Sequence, residues 1–297
     1  MNKEMKDKVD SAGYSEFRIP NSELTKQSRL GHQNLHTHTT YCDGTLTAEE
    51  MVRAAIARGC DSLGFSEHSY LTFDWYYSMS PETTREYADE ISMLKDKFSG
   101  QCEIFLGLER DYYSEIEPDI DFDFIIGSAH YISPEICIDN GKQNHMKTVE
   151  MNYSGDYYAF AEDYYAIMAD IVRKTGADII GHFDLVTKYN GGGNLFDETH
   201  PRYVSAALGA MDEILKNCKL FELNTGTIYR QINPEPYPSV FLLRELQKRG
   251  GEIILSSDSH DAESICHGFG DMLQLLKSCG FKHIKRLTGA GFTDTSI

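Results

Sequence analysis

Short apolar runs that end in ionisable residues recur along this chain, and that recurrence restricts its fold more than any other feature. The runs are Asn34-Leu35-His36, Ser62–Ser66, Glu103–Leu108, Phe122–Ser128, Asp178–His182, Leu220–Asn224 and Glu252–Ser256, with a weaker one at Ile284–Thr288. Several (IIGSA, DIIGHF, EIILSS) are apolar on both faces, as strands inside a parallel sheet must be. Between them lie stretches with helical spacing: Thr47–Arg58, Pro81–Phe98, Asp156–Thr175, Pro201–Asn217, Ser239–Arg249 and Gly270–Ser278. The first opens on a capping box, Thr47-x-x-Glu50, and stops at Gly59. No Pro/Gly/Ser linker interrupts the alternation. The rhythm predicts one α/β domain over residues 32–297, a (β/α) barrel of seven or eight units, with an open doubly wound sheet as the alternative. Residues 1–31 lack a sustained apolar period and read as a polar N-terminal extension. Residues 135–155 break the rhythm with a long polar stretch, the mark of a functional or disordered loop.

The ionisable residues fall where such a barrel would converge them. His36-Thr37-His38 closes the first run, Glu67-His68 the second, Glu109 the third, His130 the fourth, His182 the fifth and Asp258-Ser259-His260 the seventh. In a parallel barrel the carboxyl ends of all strands share one rim, where active sites are built. Strand side chains alternate, so His36 with His38, and Asp258 with His260, can each present two ligands to one side. Asp43 can reach the same rim from the first loop. Taken singly, His130 could be a hydrogen-bonded structural histidine, Glu109 an ion-pair partner of Arg110, and Asp258 a turn cap. Six of the eleven histidines and three carboxylates at successive strand ends leave those separate explanations improbable. Imidazole and carboxylate together suit zinc, iron or manganese. His32, His200 and His283 lack this placement and read as solvated; His145 and His267 could touch substrate but are not expected to ligate.

Composition narrows the partners. Twenty-eight Lys and Arg against 46 Asp and Glu leave a net charge of −18 over 297 residues. Nucleic acid is therefore not expected, because phosphate backbones are bound by clustered Lys and Arg. A small anionic substrate remains compatible, since bound cations reverse the local field. No apolar run approaches the ~20 residues that span a bilayer, and the start MNKEMKDKVDSAGYSEFRIP is too polar for a secretory signal. A cytoplasmic chain without a membrane partner is expected. The seven scattered cysteines form no C-x-x-C pair and read as reduced, mostly buried thiols, with Cys42 beside the candidate ligands.

The segments NLHTHTTYCDG, GFSEHS, GLERD, FIIGSAHYI, GHFDLVTKY, ELNTG followed by EPYPS, and SSDSH resemble the PHP (polymerase and histidinol phosphatase) superfamily. Within it they are most similar to the histidinol-phosphate phosphatases of histidine biosynthesis. The resemblance covers roughly residues 33–290 and implies a distorted (β/α)7 TIM-like barrel with three divalent metal ions at the strand ends. By position it implies that His36, His38, Glu109 and Asp258 hold the first metal. Glu109 then bridges to a second, with His130 and His182, while Asp43, His68 and His260 hold the third. The arm at 1–31, the segment Asn224-Thr225-Gly226-Thr227 and the loop at 135–155 depart from the pattern and bear on substrate identity.

The implied activity is hydrolysis of a small phosphomonoester, L-histidinol phosphate foremost. Enzymes accelerate such reactions by up to ~10²¹-fold, roughly 28 kcal/mol of barrier. A hydroxide shared by the first two metals would attack phosphorus in line, and the third would neutralise developing charge. Three carboxylates (−3) and three divalent ions (+6) would leave a cationic pocket within an acidic protein. Lys188 and Arg230, each just past a strand end, are candidate phosphate clamps. Asp258 or His260 could protonate the leaving alkoxide. Glu109, the carboxylate that the resemblance places between two metals, is the third residue assigned to catalysis, and Glu67 or Asp111 could meet a substrate ammonium. The competing readings are a nuclease or phosphodiesterase of the same superfamily, a non-catalytic metal-binding domain, and an amidohydrolase. The −18 charge weakens the first, and the full ligand set the second. The third needs a ligating lysine where Glu109 and His130 stand.

Overall fold

The computed structural model describes residues 32–115 and 119–297; the expected extension at 1–31 lies outside the described residues. Along the chain, β1 (His32–Asn34), β2 (Cys60–Phe65), β3 (Glu103–Asp111) and β4 (Phe124–Ser128) precede a small hairpin of β5 (Tyr131–Ser133) and β6 (Ile136–Cys137). Then come β7 (Ile179–Ile180), β8 (Leu220–Asn224) and β9 (Glu252–Ser256), and a second hairpin of β10 (His283–Thr288) and β11 (Gly291–Ser296). Seven strands form one parallel sheet in the order β1-β2-β3-β4-β7-β8-β9. Past β1 and β9 the two ends meet: Thr37 bridges Ser259 in parallel, His38 N–H donates to the Ser259 carbonyl (2.8 Å), and Ser259 N–H to that of His36 (3.0 Å). This junction nearly closes the sheet into a barrel of seven units, and it excludes the open-sheet alternative.

Helices α1 (Ala48–Ala57), α2 (Pro81–Lys97), α3 (Lys142–Tyr153), α4 (Tyr157–Thr175), α5 (Pro201–Ile214), α6 (Gly226–Tyr229), α7 (Val240–Lys248) and α8 (Phe269–Cys279) fill the connections. The expected capping box is formed, with Thr47 accepting from Glu50 N–H and Glu50 accepting in return. Two segments differ from expectation. Residues 135–155 are largely helical: α3 buries only His145 and Val149 and has no side-chain cap, so it leaves almost no apolar period in the sequence. Ile284–Thr288 is no further unit of the barrel. It belongs to β10 of an antiparallel hairpin that covers the amino-terminal end, where the Gln33 side chain exchanges two 2.8 Å hydrogen bonds with the Leu287 backbone.

The barrel interior below the rim is apolar: Leu35, Phe105, Phe124, Ile126, Ile179, Leu220 and Ile254 pack together, with Leu287 of the hairpin beneath. The Phe124 ring occupies the space where a Cβ on Gly107 would stand, 2.2 Å from its nearest carbon, so position 107 must lack a side chain. Two further clusters pack the helices against the sheet, one including α1, α2 and β2, the other α4, α5, α7 and α8. Among the described residues no helix is long and apolar enough to cross a membrane.

Candidate metal centre

Above the apolar plug the barrel turns polar near the strand ends, with His36, His130, His182 and Asp258 each two residues past β1, β4, β7 and β9. Of the eleven residues expected to bind metal or phosphate, nine line one cavity of about 340 Å³: Asp43, His68, Glu109, His130, His182, Lys188, Arg230, Asp258 and His260. His36 and His38 are fully buried against Glu109 and Asp258. The first strand has the expected three residues but lies two positions earlier than the run Asn34–His36, so the His36/His38 pair stands beyond its end, held in register by the Thr37–Ser259 bridge. Asp258 adopts a left-handed backbone (φ 48°), a conformation that costs of order 1 kcal/mol for most residues but is tolerated by Asp.

The donor atoms form three overlapping groups. His36 Nε2 and His38 Nε2 lie 3.3 and 3.5 Å from Glu109 Oε2, and 3.6 and 3.4 Å from Asp258 Oδ1. A tetrahedral cation with bonds of ~2.0–2.2 Å separates its ligands by roughly 3.3–3.6 Å. His36 Nε2 and His38 Nε2 are also buried without a hydrogen-bond partner, which is costly unless a further group satisfies them, while Glu109 Oε2 lies 2.9 Å from His68 Nδ1 as well. The other Glu109 oxygen faces elsewhere: Oε1 lies 2.9 Å from His182 Nε2 and 3.6 Å from His130 Nε2. The third group stands outermost, with Asp43 Oδ1 3.7 Å from His68 Nε2 and Asp43 Oδ2 3.1 Å from His260 Nε2. Among the described residues, donor atoms lie within 4.8 Å of one another in Asp43 with His38, His68 and His260, in His36 with His38 and Asp258, and in Glu109 with either His36 and His182 or His68 and His130. The cluster as a whole therefore fits divalent cations by atom type, spacing and burial.

The electrostatics express the same demand for positive charge. Burial disfavours protonated His36, yet Glu222, Glu109 and Asp258 outweigh it and hold its pKa well above the ordinary imidazole value. His68 is pushed up to about 10 against burial by Glu109 and Asp43. Burial, then His68 and His260, bring His38 down to about 3. Against burial, His36, His68 and His130 keep Glu109 well below the carboxylate range, and Arg230 and His36 do so for Asp258. Protons on imidazoles and bound cations are alternative answers to one concentration of negative charge.

The far ring nitrogens of His36, His38, His130 and His260 have partners, whereas His182 Nδ1 is buried without one. Glu222 Oε2 bonds His36 Nδ1 at 2.8 Å, while its Oε1 accepts from His182 N–H (2.6 Å) and from Asn224 Nδ2 (2.9 Å). Asp111 bonds His130 at Nδ1 (3.2 Å) and N–H (2.8 Å). Cys42 lies 3.4 Å from His38 Nδ1 and donates to Glu67 Oε2 at 2.5 Å. His260 Nδ1 faces the Asp258 carbonyl at 3.0 Å. Such outer partners fix ring orientation. Sequence reading missed Glu222, although a lone carboxylate inside the apolar strand LFELN is a signal of a buried, paired charge.

Other expectations need correction. Glu67 is fully buried against Cys42 and cannot meet a substrate ammonium. Asp111 lines the cavity but is committed to His130 and the Tyr113 N–H. Arg110 does not pair with Glu109; its Nη1 donates to the Thr175 carbonyl (2.9 Å). His145 is buried with Nδ1 on the Ile138 carbonyl (2.9 Å), and His200 caps α5. Arg230 Nη2 holds Asp258 Oδ2 at 2.8 Å, and Lys188 Nζ holds Asp139 Oδ2 at 3.0 Å. Gly226 makes room for that guanidinium, since a Cβ there would lie 2.6 Å from Arg230 Nη2.

Comparison with known proteins points one way. Residues 34–226 match the PHP domain family. A Deinococcus radiodurans protein named "Probable histidinol-phosphatase" is 30% identical over 272 residues, which cover 84% of this chain and 96% of that protein. The histidinol-phosphatase of Bacillus subtilis is 26% identical over 268 residues, covering 80% and 97%. Among solved structures, the histidinol phosphate phosphatase of Lactococcus lactis, complexed with zinc, L-histidinol and phosphate, superposes with a TM-score of 0.66 at 23% identity. That similarity covers 88% of this chain and 98% of the other.

Proposed function

The chain belongs to the PHP domain family, and from that premise we propose that it is a metal-dependent phosphomonoesterase that hydrolyses L-histidinol phosphate to L-histidinol and phosphate. The relatives named above support the substrate. One observation carries the chemistry: the buried, unpartnered Nε2 atoms of His36 and His38 converge on Glu109 and Asp258 at spacings that a cation would fill. We assign three divalent ions, zinc, iron or manganese, to the three donor groups. His36, His38, Glu109 and Asp258 would hold the first, Glu109 with His130 and His182 the second, and Asp43, His68 and His260 the third. The division of the two Glu109 oxygens between separate histidine sets supports a bridging role. When bound, such ions make water a nucleophile at neutral pH and neutralise charge on the transferring phosphoryl group.

The protein's own groups do the rest. Lys188 and Arg230 line the cavity, each beside a carboxylate, and would orient the phosphoryl oxygens. The left-handed backbone at Asp258 and its Arg230 contact hold that carboxylate rigidly toward His36 and His38. Of the two cavity-lining candidates for protonating the departing alkoxide, Asp258 and His260, we assign the role to His260. Against burial, Asp43 favours His260 in its protonated form, whereas Arg230 and His36 hold Asp258 ionised. Seven free cysteines support a reducing, cytoplasmic setting. The polar residues 1–31 we treat as an extension to the catalytic domain of residues 32–297.

Metal analysis of the purified protein, paired with phosphate release from L-histidinol phosphate and a phosphomonoester panel, tests this reading. It predicts about three divalent ions per chain and activity lost to chelation. Fewer than one ion per chain, or preference for a phosphodiester, would overturn it.

A further inference from the structure

The cavity is also lined by residues of the β2–α2 connection and of the segment after β6. The stem of that connection is fixed. Ser78 Oγ donates to the Asp74 carbonyl (2.7 Å) and accepts from Leu71 N–H (3.2 Å), and the Asp74 carboxylate takes the Tyr131 hydroxyl. Phe73 packs edge-on against Tyr131 with ring centroids 5.0 Å apart. On this stem the tip Trp75-Tyr76-Tyr77 stands in solvent, 79%, 75% and 45% exposed. Three consecutive exposed aromatics forgo burial energy, which marks a surface with a binding role. Of the three, Tyr77 lines the cavity. Burial and then the carboxylates of Asp139 and Asp74 raise its phenol.

Asp139 lines the same cavity and holds Lys188 Nζ at 3.0 Å. A phosphoryl group engaged by Lys188 would give that ammonium an anion on either side, drawing counter-charge away from Asp139. The series then alternates: phosphoryl anion, Lys188 cation, Asp139 anion. A positive group on the alcohol would complete it, with the Tyr77 ring as an adjoining face for cation–π contact. A neutral alcohol would gain no ion pair from Asp139 and no cation–π contact from Tyr77. This inference rests on the phosphomonoesterase reading above: we propose that Asp139 and Tyr77 form the leaving-group subsite and select phosphomonoesters whose alcohol carries a cation beside a flat ring. L-Histidinol, with an amino group and an imidazole, is of that class.

The test compares phosphate release from L-histidinol phosphate and from glycerol phosphate, which has no cation. The Asp139→Asn variant should lower the ratio of kcat/KM for the two substrates by about 30-fold, and the Tyr77→Ala variant by about 5-fold. Asp139→Glu should restore most of the ratio. A ratio unchanged in Asp139→Asn, whether both activities fall together or neither falls, would overturn the subsite. Wild-type inactivity on both esters would instead overturn the phosphomonoesterase reading. The subsite then still answers to binding, because Trp75 is the sole tryptophan and sits two residues from Tyr77. L-Histidinol should change its emission saturably, glycerol should not, and Asp139→Asn should raise the half-saturating concentration at least about tenfold. An emission response indifferent to Asp139 contradicts the proposal.

Discussion

His36, His38 and Glu109 are at most 1% exposed, whereas Asp43, His68 and His260 are 19–27% exposed. The two halves of the cluster are held in correspondingly different ways. Inner atoms cannot turn to water, so each must be anchored from behind: Glu222 grips His36 and the His182 backbone, and Cys42 backs His38. The outer histidines are tied inward on one side, His68 Nδ1 to Glu109 Oε2 (2.9 Å) and His260 Nδ1 to the Asp258 carbonyl (3.0 Å), and meet Asp43 and solvent on the other. Burial thus separates a rigid inner set, suited to tight retention of a cation, from an outer set suited to exchange with solvent and substrate.

The largest effect is expected where the halves join. Glu109 touches both, so Glu109→Gln should cut phosphate release by at least about 10³-fold and lower metal content by more than one ion per chain. Full metal content in that variant would mean the inner set does not depend on its shared carboxylate. Next, Glu222→Gln keeps shape but removes the charge behind His36. Competition with a chromogenic chelator should show the tightest ion bound about 10–100-fold more weakly, with the weakest ion unaffected. An equal loss at both would erase the distinction between inner and outer sets.

Graded chelation of the wild type should release one ion ahead of the others. Asp43→Asn should abolish that first phase while changing the stability of the chain by no more than about 0.5 kcal/mol in urea unfolding. Loss of all ions together would break the comparison. The smallest effect lies away from the rim: Thr47→Ala removes the α1 cap and should cost about 1 kcal/mol of stability with metal content unchanged.

Legibility in the sequence follows the same physical divide. Residues that end a strand and face a shared rim stand out as breaks in apolar runs, and the histidines and carboxylates at 36, 38, 68, 109, 130, 182, 258 and 260 were readable for that reason. Residues that act from behind were not. Glu222 lies inside a strand, and Cys42 and Glu67 find each other only after the first two strand ends are brought together. Helix α3 escaped because two buried residues in twelve make no stripe. The hairpin β10–β11 escaped because one of its strands shares the apolar character of a barrel strand, and only pairing partners tell them apart. Asp139 and Tyr77 carried no signal, since loop residues meet across a cavity without any period.

Anomalous diffraction from crystals of the metal-loaded protein addresses the central claim directly. Three peaks are expected inside the ring of nine side chains. One should be bounded by His36, His38, Glu109 and Asp258, a second by Glu109, His130 and His182, and the outermost by Asp43, His68 and His260. An empty ring in protein that releases phosphate, or peaks only at other side chains, would contradict the account.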